Sequence, residues 1–385
     1  MTTVGVEVKP LGVKCNIQCG YCYQDPIRHA GNVPSSYDLV KIQDAIEATG
    51  QPFSLFGGEP LLMRRSDLER LFAWGFARFG RNAVQTNGTL IDADLIRMFK
   101  QYNVRVGISI DGPGELNDAR WAGALERTRQ FTVKSERAIE WLCLEKIRPN
   151  LIVTLTRANA SATSLPVLCQ WLRHLEKLGV RRARLHVLES ETEAVRSRYA
   201  LTPRENVDAL LAIYRLRLSK LKFDLFTDMK NMLLGRDQKV ACIWTGCDPY
   251  TTAAVSGIEG NGQESNCSRT NKDGIDYVKS SEPGFERYLA LYFTPQEAGG
   301  CKQCRFFLMC KGQCPGTALG GDWRNRSEHC EVWKELYSTL EAEIIAEGSD
   351  PVSQNPRLRQ LEESFLRAWA RGETNSLSGI LGVHD

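Results

Sequence analysis

Three cysteines, Cys15, Cys19 and Cys22, lie in the ten-residue segment C-N-I-Q-C-G-Y-C-Y-Q near the start of the chain. Structural zinc usually takes four protein ligands and a disulfide takes two cysteines, so a triplet satisfies neither by itself. A site with three protein ligands either takes a fourth ligand from a distant segment or leaves one coordination position open. The triplet therefore predicts a metal or iron–sulfur site of one of these two kinds.

The composition is that of an ordinary soluble protein and excludes several classes. The 385 residues are 42% hydrophobic and 25% charged, which suits two domains or one large barrel with an appendage. A net charge of +3 gives no sign of a nucleic-acid partner, and no apolar run approaches the ~20 residues of a membrane span. The N-terminal sequence lacks the basic and apolar regions of a secretory signal. We therefore expect a cytoplasmic protein with neither nucleic acid nor membrane as a partner.

Thirteen cysteines in a reducing compartment require an explanation other than disulfides. Three open the chain, eight fall between Cys242 and Cys330, and Cys143 and Cys169 lie alone in apolar, helical segments. Clustered cytoplasmic thiols are typical of metal or iron–sulfur ligands. The two isolated cysteines are predicted to be core thiols.

Strand-like and helix-like segments alternate over roughly the first 220 residues. This alternation predicts an α/β fold with a parallel sheet and right-handed crossovers. Six such units suit a partial (β/α)6 TIM-like barrel, although a doubly wound sheet also fits the pattern. The six predicted strands are 4–11, 52–56, 82–87, 104–111, 151–156 and 183–188.

Capping residues indicate where the first helices begin and end. The serines at 35–36 are predicted to cap a helix that ends at Gly50. The segment S-x-x-E at 66–69 is a predicted capping box, and Asp92 is predicted to start the following helix.

Four unusual segments each follow a predicted strand. They are the cysteine loop, G-G-E-P at 57–60, T-N-G at 86–88 and S-I-D-G at 109–112. In α/β folds with parallel strands, reacting groups lie at the carboxyl ends of the strands. The four segments are therefore predicted to form one shared site.

The triplet spacing just after a first strand resembles the radical S-adenosylmethionine (radical SAM) superfamily, and G-G-E-P in its place after the second strand supports the resemblance. The resemblance implies that Cys15, Cys19 and Cys22 hold three irons of a [4Fe–4S] cluster, while the fourth iron binds the amino and carboxylate groups of SAM. It also implies reductive cleavage of SAM to a 5′-deoxyadenosyl radical, which abstracts a hydrogen atom from a substrate carbon. A zinc loop completed by a distant ligand is the alternative for the triplet.

The same resemblance implies which side chains surround SAM. G-G-E-P would contact the amino group, since two glycines let the backbone approach the ligand and Glu59 places a carboxylate near an ammonium. Asp111 also fits a simpler role as the residue that starts a turn before Gly-Pro. Where the family often has H-D-x-x-R, this chain has N-D-A-R with Arg120 one residue early, so Arg120 is assigned no role. The implied SAM-binding residues are Tyr21, Gly57, Gly58, Glu59, Pro60, Asn87, Ser109 and Asp111.

The eight later cysteines resemble the SPASM domain, a C-terminal module of radical SAM enzymes that mature peptides and proteins. Their spacing includes C-x2-C-x5-C-x3-C from Cys301 to Cys314, and eight thiolates suffice for two four-cysteine sites. Two zinc ribbons are the alternative. The resemblance implies two auxiliary [4Fe–4S] clusters, three clusters in all, with Cys242 the least secure ligand. The implied ligand sets are Cys242, Cys247, Cys267 and Cys314 for one, and Cys301, Cys304, Cys310 and Cys330 for the other.

Three parts are expected along the chain: a radical SAM partial barrel over 1–225, a SPASM domain over 226–334, and a helical tail over 335–385. The tail carries an amphipathic segment at 357–369 that is predicted to pack on the body of the protein. The segment 349–356 is the predicted linker.

The resemblance implies hydrogen abstraction from a peptide, and several outcomes fit. Our leading hypothesis is an enzyme that cross-links a ribosomal precursor peptide, with a carbon–carbon cyclophane as the favoured product. A sulfatase-type maturase, which forms formylglycine, is the first alternative, but members of that group typically carry Asp after the second cysteine of the first auxiliary cluster, and here Ser268 follows Cys267. An epimerase would need a free thiol to return a hydrogen atom, and an iron–sulfur electron carrier would need no open iron.

The resemblance also predicts partners. Peptide maturases often carry an N-terminal leader-binding domain of ~80 residues, comparable to a small independent domain, yet the cysteine motif here begins at residue 15. We expect either a separate leader-binding protein or direct recognition of the precursor. A flavodoxin or ferredoxin is the expected reductant.

Overall fold

The structure is a computed structural model that describes residues 5–29, 31, 36–190, 192–245, 247–248, 250–251, 255–267, 269–270, 282 and 284–383. The chain divides into two compact units. The first comprises Gly5–Phe223 and Ser256–Asp276, and the second runs over Asp224–Val255 and Tyr277–Asp385. The division into parts 1–225, 226–334 and 335–385 remains a prediction.

A nine-stranded sheet with the order β7-β6-β5-β4-β3-β2-β1-β8-β9 forms the centre of the first unit. Neighbouring strands from β1 to β7 are parallel, whereas β8 and β9 form an antiparallel pair. The strands are β1 Gly5–Lys9, β2 Phe53–Leu55, β3 Asn82–Thr86, β4 Val104–Ser109, β5 Asn150–Leu155, β6 Arg182–Val187, β7 Lys222–Phe223, β8 Val255–Glu259 and β9 Glu264–Ser265.

This strand order confirms the predicted α/β fold with parallel strands. The first seven strands follow one another in chain order without reversal. A doubly wound sheet reverses its order at a switch point, so the order favours the partial barrel over that alternative. The six predicted strands are all present, and the short β7 and the β8–β9 pair are additions that the sequence pattern did not predict.

Fifteen α-helices lie among the described residues. In the first unit they are α1 Asp25–His29, α2 Leu39–Thr49, α3 Arg65–Phe79, α4 Ala93–Gln101, α5 Leu125–Leu144, α6 Arg157–Ala160, α7 Leu165–Leu178, α8 Glu193–Tyr199 and α9 Pro203–Tyr214. In the second unit they are α10 Asp224–Leu233, α11 Glu286–Phe293, α12 Phe307–Cys310, α13 Cys330–Ala346, α14 Leu358–Trp369 and α15 Leu377–Leu381.

Two predicted helix starts are wrong, and the other predicted boundaries are confirmed. Asp38 caps α2 through its side chain, nearer the helix than the serines at 35–36, of which Ser35 lies outside the described residues. Helix α3 begins after Arg64 without a side-chain cap, so 66–69 is not a capping box. Gly50 ends α2 in the left-handed conformation, and Asp92 caps α4 as predicted.

The two faces of the sheet differ in polarity. On one face Val8, Leu55, Ile108 and Val153 are fully buried, and burial of each such side chain stabilises the fold by about 1.5–3 kcal/mol. Because side chains alternate along a strand, the opposite face carries the intervening residues, which are polar and half-buried; they include Glu7, Gln85, Ser109, Thr154 and His186. Fully covered parallel sheets are apolar on both faces, so the polar face is the one available to a site.

Aromatic side chains build the core of the second unit. Phe306 stacks on Tyr337 with ring centroids 5.2 Å apart, and Trp369 of α14 lies 5.4 Å from Phe365 and from Tyr288. The predicted packing of the amphipathic segment is thereby confirmed within this unit.

The linker predicted at 349–356 is wrong. Val352 and Ser353 are buried, and the Ser353 hydroxyl donates to Glu341 Oε1 at 2.5 Å. The segment is therefore part of the packed unit. Within the described ranges, none of the helices combines the length and the apolar character that a bilayer crossing requires.

Candidate iron–sulfur and cofactor site

The cysteine loop leaves the carboxyl end of β1 and packs against residues 119–121. Gln18 donates its backbone N–H to the Trp121 carbonyl at 2.6 Å, and Gly20 donates to the Ala119 carbonyl at 2.8 Å. A Cβ on Gly20 would lie 2.2 Å from the Tyr199 hydroxyl, so a larger residue there would have to displace the Tyr199 ring of helix α8. These contacts hold the loop against residues 119–121 and helix α8.

The three thiols of the loop lie close enough to influence one another. Burial raises the pKa of Cys15 to about 11, and the neighbouring Cys22 thiol adds to the increase. Burial likewise raises the pKa values of Cys19 and Cys22. Arg120 opposes the shift at Cys19 and Arg28 opposes it at Cys22. Ligation of metal requires the thiolate forms, so cluster assembly here would release protons.

The G-G-E-P segment packs directly on the backbone of the cysteine loop. Gly58 donates to the Gly12 carbonyl and Glu59 donates to the Lys14 carbonyl, both at 2.8 Å. A Cβ on Gly58 would stand 2.1 Å from the Lys14 oxygen, and one on Gly57, where φ is +110°, would stand 2.4 Å from the Gly12 oxygen. The sequence predicted that these glycines let a ligand approach. In the structure they instead leave room for the backbone of residues 12–14.

Glu59 ties the end of β2 to the end of β3. Its side chain is 1% exposed and accepts hydrogen bonds from Leu61 N at 3.0 Å, Thr86 Oγ1 at 2.7 Å and Asn87 N at 2.8 Å. Burial raises the pKa of this carboxyl to about 7, against the effect of these donors. Pro60 begins a 3₁₀ turn, Pro60–Leu62, that Glu59 caps.

Asn87 connects the T-N-G segment to the cysteine loop. Its Nδ2 atom lies 2.7 Å from Asn16 Oδ1 and 3.9 Å from Cys15 Sγ. Thr89 closes the network, since its hydroxyl accepts from Asn16 Nδ2 at 2.9 Å and donates to Asn87 Oδ1 at 2.7 Å. Sequence reasoning named Asn87 but missed Asn16 and Thr89, and no local pattern distinguishes those two from ordinary polar loop residues.

Asp111 is a fully buried hub rather than an exposed turn residue. Its carboxylate accepts from the Tyr21 hydroxyl and, at 3.0 Å, from Thr154 N, while its own N–H donates to Asn117 Oδ1 at 2.8 Å. Arg120 pairs with it at 3.2 Å. The carboxylate therefore joins the cysteine loop to strands β4 and β5.

Arg120 lies inside the site, although the sequence assigned it no role. Its Nη1 atom is 4.0 Å from Cys19 Sγ, and its guanidinium carbon lies 5.9 Å from the centre of the Tyr21 ring. The one-residue offset from the family pattern concealed this position. Ser109, a predicted contact, accepts from Gln85 Nε2 at 2.9 Å on the polar face of the sheet.

Further charged and aromatic groups line the same polar face. Arg269 pairs with the buried Glu189 at 2.8 Å. Burial and the charges of Arg269, Arg184 and Arg120 hold the pKa of His186 well below its usual range. Burial first, and then the negative groups Glu7, Cys267, Cys22 and Glu189, raise the pKa of Tyr23. Sequence reasoning had not connected these residues.

A second group of thiols lines a cavity in the second unit. Cys301, Cys304, Cys310 and Cys330 share this cavity with Phe306, Phe307, Gly312, Arg326, Ser327, Trp333, Lys334 and Tyr337. Burial followed by the neighbouring thiols raises the pKa of Cys301 to about 12 and that of Cys310 well above its usual range. The four cysteines predicted as one ligand set are therefore brought together, although across the described ranges no three His, Cys, Asp or Glu side chains converge closely enough to hold a single metal ion.

The other predicted ligand set draws on both units. Cys242, Cys247 and Cys314 belong to the second unit, whereas Cys267 belongs to the first. Cys247 and Cys314 are buried, and Cys242 and Cys267 are partly exposed. Their joint ligation of a cluster stays a prediction.

Residues 10–158 match the family model of the radical SAM superfamily. The chain carries a radical SAM domain. The match covers the cysteine loop, G-G-E-P, T-N-G and Asp111, so it confirms the resemblance on the residues that carried it.

The chain is also similar in sequence to curated proteins. The chain is 37% identical over 131 residues to a serine-type anaerobic sulfatase-maturating enzyme of Bacteroides thetaiotaomicron. It is 24% identical over 382 residues to a cysteine-type anaerobic sulfatase-maturating enzyme of Clostridium perfringens, covering 88% of this chain and 96% of that protein. The alignments to the serine-type enzymes of Bacteroides thetaiotaomicron and Klebsiella aerogenes span 30% and 50% of those proteins.

Solved structures resemble the fold that contains the radical SAM domain. The complex of anSMEcpe with AdoMet and the Cp18Cys peptide has a TM-score of 0.67 at 18% identity, covering 89% of this chain and 98% of that one. Streptococcus suis SuiB bound to its precursor peptide SuiA has a TM-score of 0.55 at 14% identity, covering 86% of this chain and 76% of that one. These likenesses establish the fold.

Proposed function

We propose that the protein is a radical SAM peptide maturase that installs a side-chain cross-link, with a carbon–carbon cyclophane favoured, on a ribosomally made precursor peptide. The observation that carries the proposal is the closure of the cysteine loop against G-G-E-P, T-N-G and Asp111 at one edge of a parallel sheet. The similarity to a cysteine-type anaerobic sulfatase-maturating enzyme of Clostridium perfringens, over 88% of this chain, supports the broader part of the proposal, a radical SAM peptide maturase.

The donors in the cysteine loop fit a SAM-binding [4Fe–4S] cluster. The three thiols lie on one short loop and influence one another electrostatically, and Cys15, Cys19 and Cys22 would hold the cluster. When bound and reduced, the cluster and SAM together supply a hydrogen-abstracting 5′-deoxyadenosyl radical. The chain's own part is positional: Gly57 and Gly58 allow the loop to close, and Asp111 with Arg120 fixes Tyr21 beside Cys19.

The side chains predicted to contact SAM divide into two groups by their present partners. The carboxylates of Glu59 and Asp111 already accept several protein hydrogen bonds, so they orient the loops around the ligand. The Asn87 amide is bonded to Asn16 and Thr89 but lies 3.9 Å from Cys15 Sγ, and the Ser109 hydroxyl accepts from Gln85 on the polar sheet face; their positions make these two the proposed direct contacts.

Two auxiliary clusters complete the proposal. The cavity of Cys301, Cys304, Cys310 and Cys330 supplies four thiolates, which is a full ligand set for a [4Fe–4S] cluster. Cys242, Cys247, Cys267 and Cys314 are proposed for the other. A cross-linked substrate loses one hydrogen atom to the radical, then one proton and one electron as the new bond forms. Fully ligated clusters are suited to accept that electron.

Formylglycine formation is the second candidate, and the similarity to sulfatase-maturating enzymes favours it. Ser268, which lies outside the described residues, occupies the position where those enzymes typically carry Asp. An epimerase and a simple electron carrier rank below both. Of the two cysteines outside the predicted ligand sets, Cys169 is buried in α7, and Cys143, predicted as a core thiol, is half-buried in α5 rather than in a loop at the strand ends. A carrier would need no open-iron loop.

The experiment has two stages. The anaerobically reconstituted protein is given SAM and dithionite, and formation of 5′-deoxyadenosine is measured; its absence rejects a radical SAM activity and leaves the electron carrier. The protein is then given the Cp18Cys peptide or the peptide encoded by a short reading frame beside this gene. Loss of two hydrogens without reaction toward a hydrazine probe supports a cross-link, and a hydrazone shows formylglycine.

The proposed partners are tested with the same precursor peptide. Co-elution of protein and peptide in gel filtration supports direct recognition, whereas no binding favours a separate leader-binding protein. Flavodoxin and ferredoxin are the proposed reductants, and replacing dithionite by either one, with its reductase, should sustain 5′-deoxyadenosine formation.

A further inference from the structure

Four basic side chains surround the cavity of Cys301, Cys304, Cys310 and Cys330. Two of them, Arg326 and Lys334, line the cavity together with the cysteines. The other two, Arg287 and Lys311, are buried just behind it, with exposed fractions of 1% and 4%. Both act electrostatically on a cavity thiol, Arg287 on Cys301 and Lys311 on its neighbour Cys310.

The two buried cations are bound by backbone carbonyls. The Arg287 guanidinium donates to the carbonyls of Trp323 at 2.7 Å, Asn325 at 3.0 Å, Gln313 at 3.2 Å and Lys311 at 3.4 Å. Lys311 Nζ donates to the Trp244 carbonyl at 2.7 Å. These bonds solvate the charges without neutralising them.

The two cations that line the cavity are bound in the same way. Arg326 Nη2 donates to the Gln296 carbonyl at 3.0 Å, and Lys334 Nζ donates to Gln296 Oε1. Arg326 Nε is buried and has no hydrogen-bond acceptor in the structure. Over the part of the chain that the structure describes, no carboxylate forms an ion pair with any of the four cations; Asp237 acts on Lys311 only at longer range.

Such unpaired buried charges are costly unless an anion compensates them. A four-thiolate iron–sulfur cluster is anionic, and its reduced form carries one more negative charge. The orphaned Arg326 Nε and the carbonyl-bound Arg287 and Lys311 therefore fit a cluster in this cavity. Cations that face a redox centre in a low dielectric stabilise its more negative state.

The cysteine loop of the first unit is different in this respect. The two cations that act electrostatically on its thiols are each paired with an aspartate, Arg28 with Asp25 and Arg120 with Asp111. The local positive charge there is already neutralised by the protein. The two cluster sites thus differ in net charge around the thiols.

We propose that Arg287, Lys311, Arg326 and Lys334 raise the reduction potential of the cluster held by Cys301, Cys304, Cys310 and Cys330 above that of the Cys15–Cys19–Cys22 cluster, and so make it the electron-accepting centre. The inference rests on the proposed function. After hydrogen abstraction, the substrate would give up one proton to solvent and one electron as the cross-link forms; Cys301, Cys304, Cys310 and Cys330 would hold the one-electron acceptor, and the four cations would favour its reduced form.

The test is an EPR-monitored redox titration of the reconstituted protein, which needs no turnover. In the wild type, the EPR signal that disappears in a Cys304/Cys310→Ala variant should titrate at a higher potential than the signal that disappears in a Cys15/Cys19/Cys22→Ala variant. Arg326→Gln and Lys311→Met should each lower the potential of the Cys301–Cys304–Cys310–Cys330 cluster by about 59 mV, which corresponds to a tenfold change in the one-electron equilibrium constant. Arg326→Lys keeps the charge and should keep the potential. Arg287 is left unchanged because its four carbonyl bonds hold loops together.

The matched control is Lys302→Gln. Lys302 adjoins Cys301 but is exposed, so water and salt screen its charge and the potential should stay unchanged. Iron and sulfide are measured first for every variant. A Cys304/Cys310→Ala variant, which leaves only two of the four thiols, overturns the proposed cluster itself if it keeps all its iron. The inference is overturned if Arg326→Gln and Lys311→Met both keep their full iron content and both have the wild-type potential. It is also overturned if the Cys15–Cys19–Cys22 site has the higher potential. In either case the proposed function stands.

Discussion

Gly58 approaches the carbonyl of Lys14 so closely that a Cβ on it would stand 2.1 Å from the oxygen. This contact closes G-G-E-P onto the cysteine loop, together with the hydrogen bond from Glu59 N to the same carbonyl at 2.8 Å. The position of the three thiols therefore depends on a residue 36 to 43 positions away in the chain.

Gly58→Ala should displace the cysteine loop, because the backbone oxygen of Lys14 cannot give way like a flexible side-chain end. We expect loss of the first cluster, which is about 4 of about 12 irons per chain by the three-cluster count, and loss of SAM cleavage. Iron analysis checks the first and 5′-deoxyadenosine formation the second. Gly5→Ala is the control, since a Cβ there meets nothing within 4 Å. Full iron in Gly58→Ala would contradict the close-packing argument.

Removing the loop thiols should affect one cluster and leave the rest. A Cys15/Cys19/Cys22→Ala variant should retain about 8 irons and cleave no SAM. Cys143→Ala is the matched control, because this half-buried thiol lies in α5, outside the predicted ligand sets, and it should keep about 12 irons. Retained SAM cleavage in the triple variant would refute the assignment of the three loop cysteines as ligands of the SAM-binding cluster.

Asp111→Asn should destabilise the first unit strongly. The substitution leaves the buried Arg120 guanidinium without its carboxylate, and breaking such a pair costs about 3–5 kcal/mol. Adding Arg120→Met should recover part of that loss, since the charge is then removed too. Urea unfolding followed by circular dichroism measures both. Asp118→Asn, which breaks a more exposed pair with Arg129, should cost under about 1 kcal/mol; equal costs for the two aspartates would refute the buried-hub assignment.

Glu59 should make stability depend on pH in a specific direction. Its pKa is raised from 4.5 to about 7 in the folded chain, so between these values the folded state holds a proton that the unfolded state has lost. Stability from this group is full below about pH 4.5 and is lost as pH rises to about 7, by roughly 3 kcal/mol. The difference in unfolding free energy between wild type and Glu59→Gln should therefore be larger near pH 5 than near pH 7.5. An equal difference at both pH values would contradict it.

The sequence predicted the six main strands and the segments at their carboxyl ends, because hydrophobic patterning and Gly, Asn and Asp signals are local. It failed where two local signals competed. Ser66 and Glu69 have the spacing of a capping box, yet packing starts α3 at Arg65. The polar segment 349–356 has the composition of a linker, yet Val352 and Ser353 are buried.

The site shows the same division. The identity of the ligand cysteines could be predicted from spacing, since Cys15, Cys19 and Cys22 lie on one short loop. The position of Arg120 could not, because its contacts with Asp111 and Cys19 depend on how the turn after β4 folds back against that loop. Arg326, Lys334, Arg287 and Lys311 are unremarkable in sequence and meet only around the second cavity.

By itself, the sequence determined which chemistry the chain can hold: three thiols in one loop, eight more downstream, and polar segments after successive strands. Only the tertiary structure decided what those groups face. Gly57 and Gly58, expected to let a ligand approach, instead leave room for the cysteine-loop backbone. Glu59, expected near an ammonium group, instead joins the ends of two strands. The physical reason is that donor identity is a property of residues, whereas burial, pairing and close approach arise between segments distant in the chain.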